Sequence, residues 1–334
     1  MMFDDVFCVV VTYGNRGNLV KQVVEAALGN RVGKVIIVDN DSSVNSKRVL
    51  GDLDDRYDKV KIVTCRTNLG SAGGFRLGYR HALDLGAKFV FSLDDDNLLE
   101  NNGVVEKLMS FWKRRADNPV LFCFRHYDEP LLLKSDRDLK IQRLEKSVLN
   151  VNSFCYFSLT KMFSMIAEVF KWKVPNKRAF YELPCGAYGG LFCHRSVFEL
   201  VGFPDESFYL YYDDIEMSYR MFNSCLRLFM LPDCKIIDLD FTLANKSVRS
   251  YFSVFNILEN IKTMNELKFK FSFKNRVRLE ARWLVRNGWL YYLNKALFFM
   301  FVYPFAILLY YLKYGEANRM LMLYDLIKEG EKLR

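Results

Sequence analysis

Histidine is scarce in this chain of 334 residues: there are three, and none follows His194. His81 and His126 have no evident chemical partners, so ordinary surface or packing roles are expected of them. The eight cysteines (Cys8, Cys65, Cys123, Cys155, Cys185, Cys193, Cys225 and Cys234) contain no C-x-x-C pair, which argues against both a cysteine zinc site and a disulfide framework. Several sit inside apolar runs, where cysteine acts as a small hydrophobe, and a reducing cytosol fits this usage best. The first residues, Met1-Met2-Phe3-Asp4-Asp5, are acidic and lack a basic n-region, so no signal peptide is expected. There is no internal repeat and no low-complexity segment. The glycine-rich stretch Asn68–Gly74 has no Lys-Ser/Thr and is not a P-loop. Nor is it a dinucleotide fingerprint, since Ala72 stands where a glycine is required.

What is present is a large apolar fraction, 51% with 16% aromatics, enough for a sizeable core in one large or two modest domains. The formal net charge of +9 suits nucleic acid, an anionic membrane surface or a polyanionic substrate. Nucleic acid is the poorest of these, because the basic residues concentrate beside apolar helices and not along a groove-reading motif.

The first hundred residues alternate strand and helix. Val6–Thr12 reads as a buried strand, Gly14-Asn15-Arg16-Gly17 as a turn, and Leu19–Leu28 as an amphipathic helix that Asn18 can cap. Lys34–Val38, Val60–Thr64 and Phe89–Leu93 are further strands, Asn68–Gly74 a loop, and Phe75–Leu85 a helix. Strands separated by crossover helices imply a parallel sheet. Beyond it, Glu106–Ala116 is expected to be helical, Phe124–Lys146 is charged and hard to parse, and Ala179–Phe192 suggests loop or bulged strand. Ser196–Val201 and Asp213–Phe222 read as helices, the second with Asp213 and Asp214 at its start, where carboxylates suit the dipole.

The most informative feature is Asp94-Asp95-Asp96, closing the fourth strand. Three adjacent carboxylates repel one another unless a cation offsets them, and ligands of open α/β sheets bind beyond the carboxyl ends of strands. An exposed acidic turn is the plainer alternative. Three other strand ends or loops converge on the same crevice. Thr12-Tyr13 ends the first strand, with an aromatic able to stack on a nucleobase. Asp39 ends the second and can accept hydrogen bonds from base or ribose. The Asn68–Gly74 loop offers backbone N–H groups and a helix N-terminus.

This set resembles the inverting family 2 glycosyltransferases with the GT-A fold. The resemblance rests on Val-Val-Thr-Tyr at 10–13, Val-Ile-Ile-Val-Asp-Asn at 35–40, Asn-Leu-Gly-Ser-Ala-Gly-Gly at 68–74, Asp-Asp-Asp at 94–96, Gly189-Gly190, Tyr-Asp-Asp-Ile-Glu at 212–216 and Arg220. It covers roughly residues 6–245. Tyr251-Phe252 and Phe255-Asn256 are similar to the helix after the catalytic domain in the rhamnosyl- and galactofuranosyl-transferase branch, although that branch usually has Arg at the place of Phe255.

The resemblance implies an α/β GT-A domain over 1–245, with a mainly parallel nucleotide-binding sheet, and a C-terminal helical region over 246–334. It implies a nucleotide-diphosphate sugar donor held by Thr12, Tyr13, Asp39, Asn68, Gly73, Gly74, Asp94 and Asp95. It further implies Mn²⁺ or Mg²⁺ on Asp94 and Asp96, and Asp213 as general base with Asp214 beside it. The family's further metal ligand is often a His after a Leu-Pro-x-x-x-x-x pattern; here Leu231-Pro232 leads to Asp238, which is able to ligate a hard cation, as is Asp240. Alternatively water fills that position. Glu216 and Arg220, four apart on one helix, can simply pair. The acceptor implied is lipid-linked or a polysaccharide of a bacterial surface glycan such as O-antigen, capsule or galactan. The full aspartate triplet leans the reading toward a galactofuranosyl- over a rhamnosyl-transferase.

Residues Lys262–Arg286 are strongly basic, and Ala296–Leu312 runs 17 residues without a charge, with Pro304 inside it. That length is at the short limit for a bilayer span. Its basic and aromatic flanks are interfacial signals, so a buried helical hairpin, an interfacial or re-entrant attachment and a true span all stand. The reading places the protein on the cytoplasmic face of the inner membrane, peripheral or monotopic, and leaves oligomer formation open. Two other classes remain as alternatives. A sugar nucleotidyltransferase would want a basic glycine loop after the first strand, which Gly14–Gly17 only poorly imitates, and it has no use for Asp213-Asp214. A non-catalytic membrane-associated scaffold would have no need of Asp94, Asp96 and Asp213.

Overall fold

The computed structural model describes residues 3–137, 140–160, 162, 178–240 and 254–332. The chain divides into two compact units: the first comprises Met1–Asp136, Asn176–Tyr209 and Asp213–Asn245, the second Arg137–Pro175, Leu210–Tyr212 and Lys246–Arg334.

The first unit is a nine-stranded sheet flanked by helices. Its parallel half has the order β3-β2-β1-β4, from β1 (Phe3–Gly14), β2 (Val32–Ser42), β3 (Val60–Thr64) and β4 (Phe89–Asp94). The crossovers are α1 (Gly17–Gly29), α2 (Val44–Arg56) and α3 (Gly70–Asp84). With helices on the faces, the central strands are buried on both sides, which is why they read as continuous β-branched runs. Val6, Val9, Val10, Val35, Ile36, Ile37 and Val38 are fully buried.

The other half is mixed. The remaining strands are β5 (Asn97–Leu99), β6 (Val120–Arg125), β7 (Tyr181–Leu183), β8 (Leu191–His194) and β9 (Leu228–Asp238). Here β8 lies antiparallel between β4 and β6, β6 runs parallel to β9, and β5 and β7 pair antiparallel with β9. The helix α4 (Val104–Lys113) packs Val104, Val105 and Leu108 into the core.

Two local expectations are corrected. Asn18 does not cap α1. The helix starts at Gly17, whose N–H is taken by Ser46 Oγ at 3.0 Å, so a tertiary partner replaces the local cap. The stretch Gly70–Gly74 is not loop but the first turns of α3, because the absence of side chains lets the helix close onto β1: a Cβ on Gly74 would stand 2.6 Å from Val11 Cγ1.

The second unit is helical around its own core, which includes Phe154, Leu258, Phe269, Val277, Tyr291, Phe298, Tyr310, Leu323 and Ile327. Part of the basic stretch is internal to it. The fully buried Glu280 carboxylate accepts from Arg276 Nε at 2.7 Å, Ser153 Oγ at 2.6 Å and the Cys155 and Tyr156 amides at 2.6 and 3.1 Å. A helical segment of 27 residues, Gly288–Tyr314, is long and apolar enough to cross a membrane, with mean hydropathy 1.7 and 17% of its most apolar window buried. It continues past Pro304 because a π turn, Phe298–Val302, immediately precedes it, where the missing N–H would otherwise break the regular ladder. Tyr251 and Phe252 lie outside the described residues, and of Phe255 and Asn256 only the backbone, in the helix Val254–Thr263, is described.

Candidate active site

Register brings the first group of site residues together. Thr12 pairs with Asp39 across β1 and β2, and Val11 pairs with Asp94 across β1 and β4. The carboxyl ends of three neighbouring strands therefore open into one crevice. Thr12, fully buried, donates from Oγ1 to Asp95 Oδ2 at 2.9 Å, which turns Asp95 toward β1. Tyr13 is half exposed, and the Arg16 guanidinium lies over its ring, 5.9 Å from the centroid. Asp39 is buried and anchors its own turn by accepting from the Ser42 amide at 2.9 Å.

The entry to α3 is built by two asparagines. Asn40 Oδ1 accepts from the Leu69 amide at 2.7 Å, and Asn40 Nδ2 donates to the Gly70 carbonyl at 2.9 Å and to Asn68 Oδ1 at 3.2 Å. Asn68 Oδ1 in turn accepts from the Gly70 amide at 2.8 Å. Gly73 and Gly74 lie buried in the first turns of the helix. Ser71, in the same turn, lies near enough to Asp213 for its hydroxyl to favour the ionised carboxylate.

The triplet itself is held by Asn97. Its Oδ1 accepts from the Asp94 amide at 3.1 Å, and its Nδ2 donates to Asp96 Oδ1 at 3.2 Å and to Asp238 Oδ1 at 2.7 Å. Antiparallel pairing of β5 with β9 sets Asn97 opposite Asp238. Gly189 presses against the same group: a Cβ there would stand 2.1 Å from Asn97 Oδ1, 2.6 Å from Asp94 Oδ2 and 3.1 Å from Arg125 Nη1. Two guanidiniums enter the cluster. Arg16 reaches Asp95 Oδ1 at 2.7 Å, Asp96 Oδ2 at 2.9 Å and Asp240 Oδ2 at 2.8 Å. Arg125 pairs with Asp128 at 3.3 Å and acts electrostatically on Asp94, Asp214 and Asp238.

The helix Asp213–Asn223 starts with the second acidic pair. Backbone strain precedes it: Tyr209, Tyr211 and Tyr212 all have positive φ, at 60°, 64° and 65°. Bulky residues in that region are held there only by surrounding structure, and such strain collects at functional sites. Asp213 is buried, and its Oδ2 has no hydrogen-bond partner. Glu216 and Arg220 form the expected i,i+4 pair at 2.8 Å, and Arg220 also caps the carbonyls of Val201 and Phe203, so both are structural.

Crowding of carboxylates shows in their protonation. Burial pushes Asp94 up to about 7, with Asp96, Asp95 and Asp214 adding and Arg125 opposing. Burial pushes Asp95 and Asp238 up to about 6, against the pull of Arg16 on the first and Arg125 on the second. Asp213 is held well above the usual carboxylate range by burial and then by Asp214, and Asp214 itself is raised by burial. Seven carboxylates (Asp94, Asp95, Asp96, Asp213, Asp214, Asp238, Asp240) thus face two guanidiniums. Such a surplus of hard oxygen donors, Asp95 and Asp213 buried and the rest partly so, is the chemistry that a divalent cation fits.

Of the residues singled out in the sequence, Thr12 and Asp95 touch, Asp96 and Asp238 share Asn97, and Ser71 of the α3 entry reaches Asp213. Asp94, Asp96 and Asp238 do not meet at one point: among the described residues no three His, Cys, Asp or Glu side chains are grouped to hold a metal ion. The sequence reading gives no role to Arg16, Asn40, Asn97 or Arg125. Asn40 and Asn97 directly follow singled-out aspartates, which is the signal that was there to use.

A family model described as Glycosyl transferase family 2 matches residues 8–170. A galactofuranosyltransferase of Mycolicibacterium smegmatis is 27% identical over 244 residues, 70% of this chain and 73% of that protein. A dTDP-rhamnosyl transferase of Shigella flexneri is 23% identical over 251 residues, 74% of this chain and 72% of that one. Among solved structures, a mannosyltransferase from Pyrobaculum calidifontis, in complex with GDP-Man and Mn²⁺, superposes with TM-score 0.48 at 13% identity, covering 98% of this chain and 84% of that one.

Proposed function

We propose that this glycosyltransferase, which carries a family 2 domain over residues 8–170, moves a sugar with inversion from a nucleotide-diphosphate donor to a hydroxyl of a lipid-linked or polysaccharide acceptor. The observation that carries the reading is Asp213 Oδ2: a buried carboxylate oxygen without a partner, close enough to Asp94 of the triplet for each charge to act on the other. A base must face the acceptor from the side opposite the leaving group. Asp213 takes the acceptor hydroxyl proton as that oxygen bonds to the anomeric carbon. The bond from that carbon to the diphosphate breaks, and the nucleoside diphosphate leaves with the electron pair.

The nucleoside is stacked on Tyr13 and bound by Asp39 and Asp95, with Thr12 fixing Asp95. Asn68, Gly73 and Gly74 shape the α3 entry against the donor. In this reading Asp94 and Asp96 would hold the metal, and Asp238, which does not meet them at one point here, would close in as the third ligand. A bound Mn²⁺ or Mg²⁺ neutralises charge that develops on the leaving diphosphate. Asp214 keeps Asp213 basic. The names of the similar proteins support a UDP-galactofuranose-like donor first and dTDP-rhamnose second. The setting of this reading is bacterial surface glycan synthesis at the cytoplasmic membrane face. Incubation with a panel of nucleotide sugars, metal and acceptor-bearing membrane extract, following nucleotide release and product mass, tests it. Consumption of no donor overturns it.

Attachment to a membrane surface is supported by a stripe on Gly288–Tyr314. Phe301, Phe305, Leu308 and Leu312 lie at helical spacing and are 60%, 59%, 52% and 71% exposed, with Trp289 and Tyr292 further along and Lys295 and Lys313 at the flanks. An apolar face with aromatic and basic borders suits a lipid interface.

A further inference from the structure

Arg16 is the most heavily engaged side chain of the aspartate site. Its backbone is fixed at the start of α1, where its carbonyl accepts from the Leu19 and Val20 amides at 2.9 and 3.1 Å. Its three guanidinium nitrogens go to three different carboxylates: Nε to Asp95, Nη2 to Asp96 and Nη1 to Asp240. The opposite oxygens of the first two are taken as well, Asp95 Oδ2 by Thr12 and Asp96 Oδ1 by Asn97. Both oxygens of Asp96 are therefore spent inside the protein. The guanidinium lies on the oxygen that a divalent cation would need, and two cations do not share it at contact distance. The same guanidinium sits beside Tyr13, at the nucleoside end of the crevice. A planar fork of donors fits phosphate oxygens as well as it fits carboxylates.

We propose that Arg16 is a resident counter-cation that exchanges with the metal and its diphosphate. It holds Asp96 and Asp240 until the donor arrives. It then leaves Asp96 to the metal and turns its fork to the diphosphate oxygens. Metal alone is opposed, because it must expel the guanidinium and gives it no new partner. Metal with nucleotide diphosphate is favoured, because the anion supplies that partner. Each thus tightens the other's binding, and the coupling is reciprocal. The inference rests on the donor–metal reading above and adds that the two bind as a unit, with Arg16 as the cause.

The test is Mn²⁺ titration followed by electron paramagnetic resonance, on wild type and Arg16→Gln, with and without UDP or dTDP. Wild type is expected to bind Mn²⁺ alone weakly and at least tenfold more tightly with the nucleotide. R16Q is expected to bind Mn²⁺ alone at least tenfold more tightly than wild type, with most of the nucleotide's effect lost. If R16Q does not fold, Arg16→Met, which keeps an unbranched stem and removes the charge, decides: tighter Mn²⁺ alone than wild type supports the exchange, and equal binding overturns it. A wild type that takes up Mn²⁺ with nucleotide, beside an R16Q that gains nothing for Mn²⁺ alone, overturns this inference only. A wild type that binds no Mn²⁺ even with nucleotide overturns the donor–metal reading and this inference with it.

Discussion

The carbonyl oxygen of Tyr209 occupies the place where Gly70 would carry a side chain: a Cβ there would stand 2.1 Å away. The same carbonyl accepts from the Ala72 amide at 3.2 Å, so Tyr209, itself at positive φ, is pinned to the first turn of α3. Gly70 also has φ +71°, which L side chains rarely adopt. Gly70→Ala meets backbone and not a movable side chain, and is expected to cost about 2 kcal/mol or more in chemical denaturation. Gly51 in α2, with nothing near its would-be Cβ, is the control: Gly51→Ala should stabilise by about 0.5–1 kcal/mol. Equal effects at both positions would refute the close approach.

Asp213→Asn keeps the shape of the side chain and removes its basicity. A positioned general base contributes about 10²- to 10⁴-fold, so kcat should fall in that range while nucleotide affinity, read by calorimetry, stays within about twofold. Stability should move the other way. A carboxyl whose folded pKa is raised stabilises the fold below its unfolded pKa, and that contribution is lost as pH rises through the folded value. As pH rises through the folded value the ionised Asp213 thus becomes a burden on the fold, and there D213N should melt at or above the wild-type temperature. Full transfer by D213N would remove the proposed base.

The pH profile follows from Asp213 and its neighbour Asp214. Asp213 works as a carboxylate, so kcat should rise with pH through its pKa. Burial, Asp214 and Asp94 set that rise above the ordinary aspartate range, with the Ser71 hydroxyl opposing them. Asp214→Asn removes the neighbouring negative charge and should move the rise to lower pH even where residual activity is small. A shift to higher pH, or none, would mean that the limb belongs to another group.

Much of the parallel half of this fold was legible in the sequence because its central strands bury both faces and each crossover is local. Val60–Thr64 and Ser196–Val201 have the ends the residues suggest. What stayed hidden depends on distant partners. The start of α3 was masked by glycines, which local propensity assigns to loop and which packing against β1 turns into helix. β9 was obscured by Pro232, and its register with β6 slips there, from Leu231 opposite Cys123 to Lys235 opposite Phe124. At the site, the acidic residues announced themselves by clustering. Arg16 did not, since its partners lie 79, 80 and 224 positions away.

Gly189 gives a test of the triplet's geometry apart from its charge. Its would-be Cβ meets Asn97, Asp94 and Arg125, all side chains that can shift. Gly189→Ala should therefore fold with little change in midpoint, yet displace Asp94 and weaken Mn²⁺–UDP binding at least tenfold by calorimetry. Unchanged binding would show that neither Asp94 nor Asn97 matters to the donor.

Membrane attachment needs a test that spares the second unit. Removing residues 289–334 would take Tyr291, Phe298, Tyr310, Leu323 and Ile327 out of that unit's core, so a change in fractionation would report unfolding as readily as release. The exposed stripe can be altered alone. Phe301, Phe305, Leu308 and Leu312 are each more than half exposed, so replacing all four by Ser removes little internal packing. Burying a Leu or Phe side chain is worth about 1.5–3 kcal/mol, and four of them, even partly inserted, dominate an interfacial attachment. The quadruple variant should keep its circular dichroism and melting temperature and lose co-sedimentation with vesicles that contain anionic lipid. High salt should weaken wild-type binding only in part, because screening reaches the lysines of the flanks but not the apolar stripe. A quadruple variant that sediments as wild type does would show that this face is not what holds the protein to a bilayer.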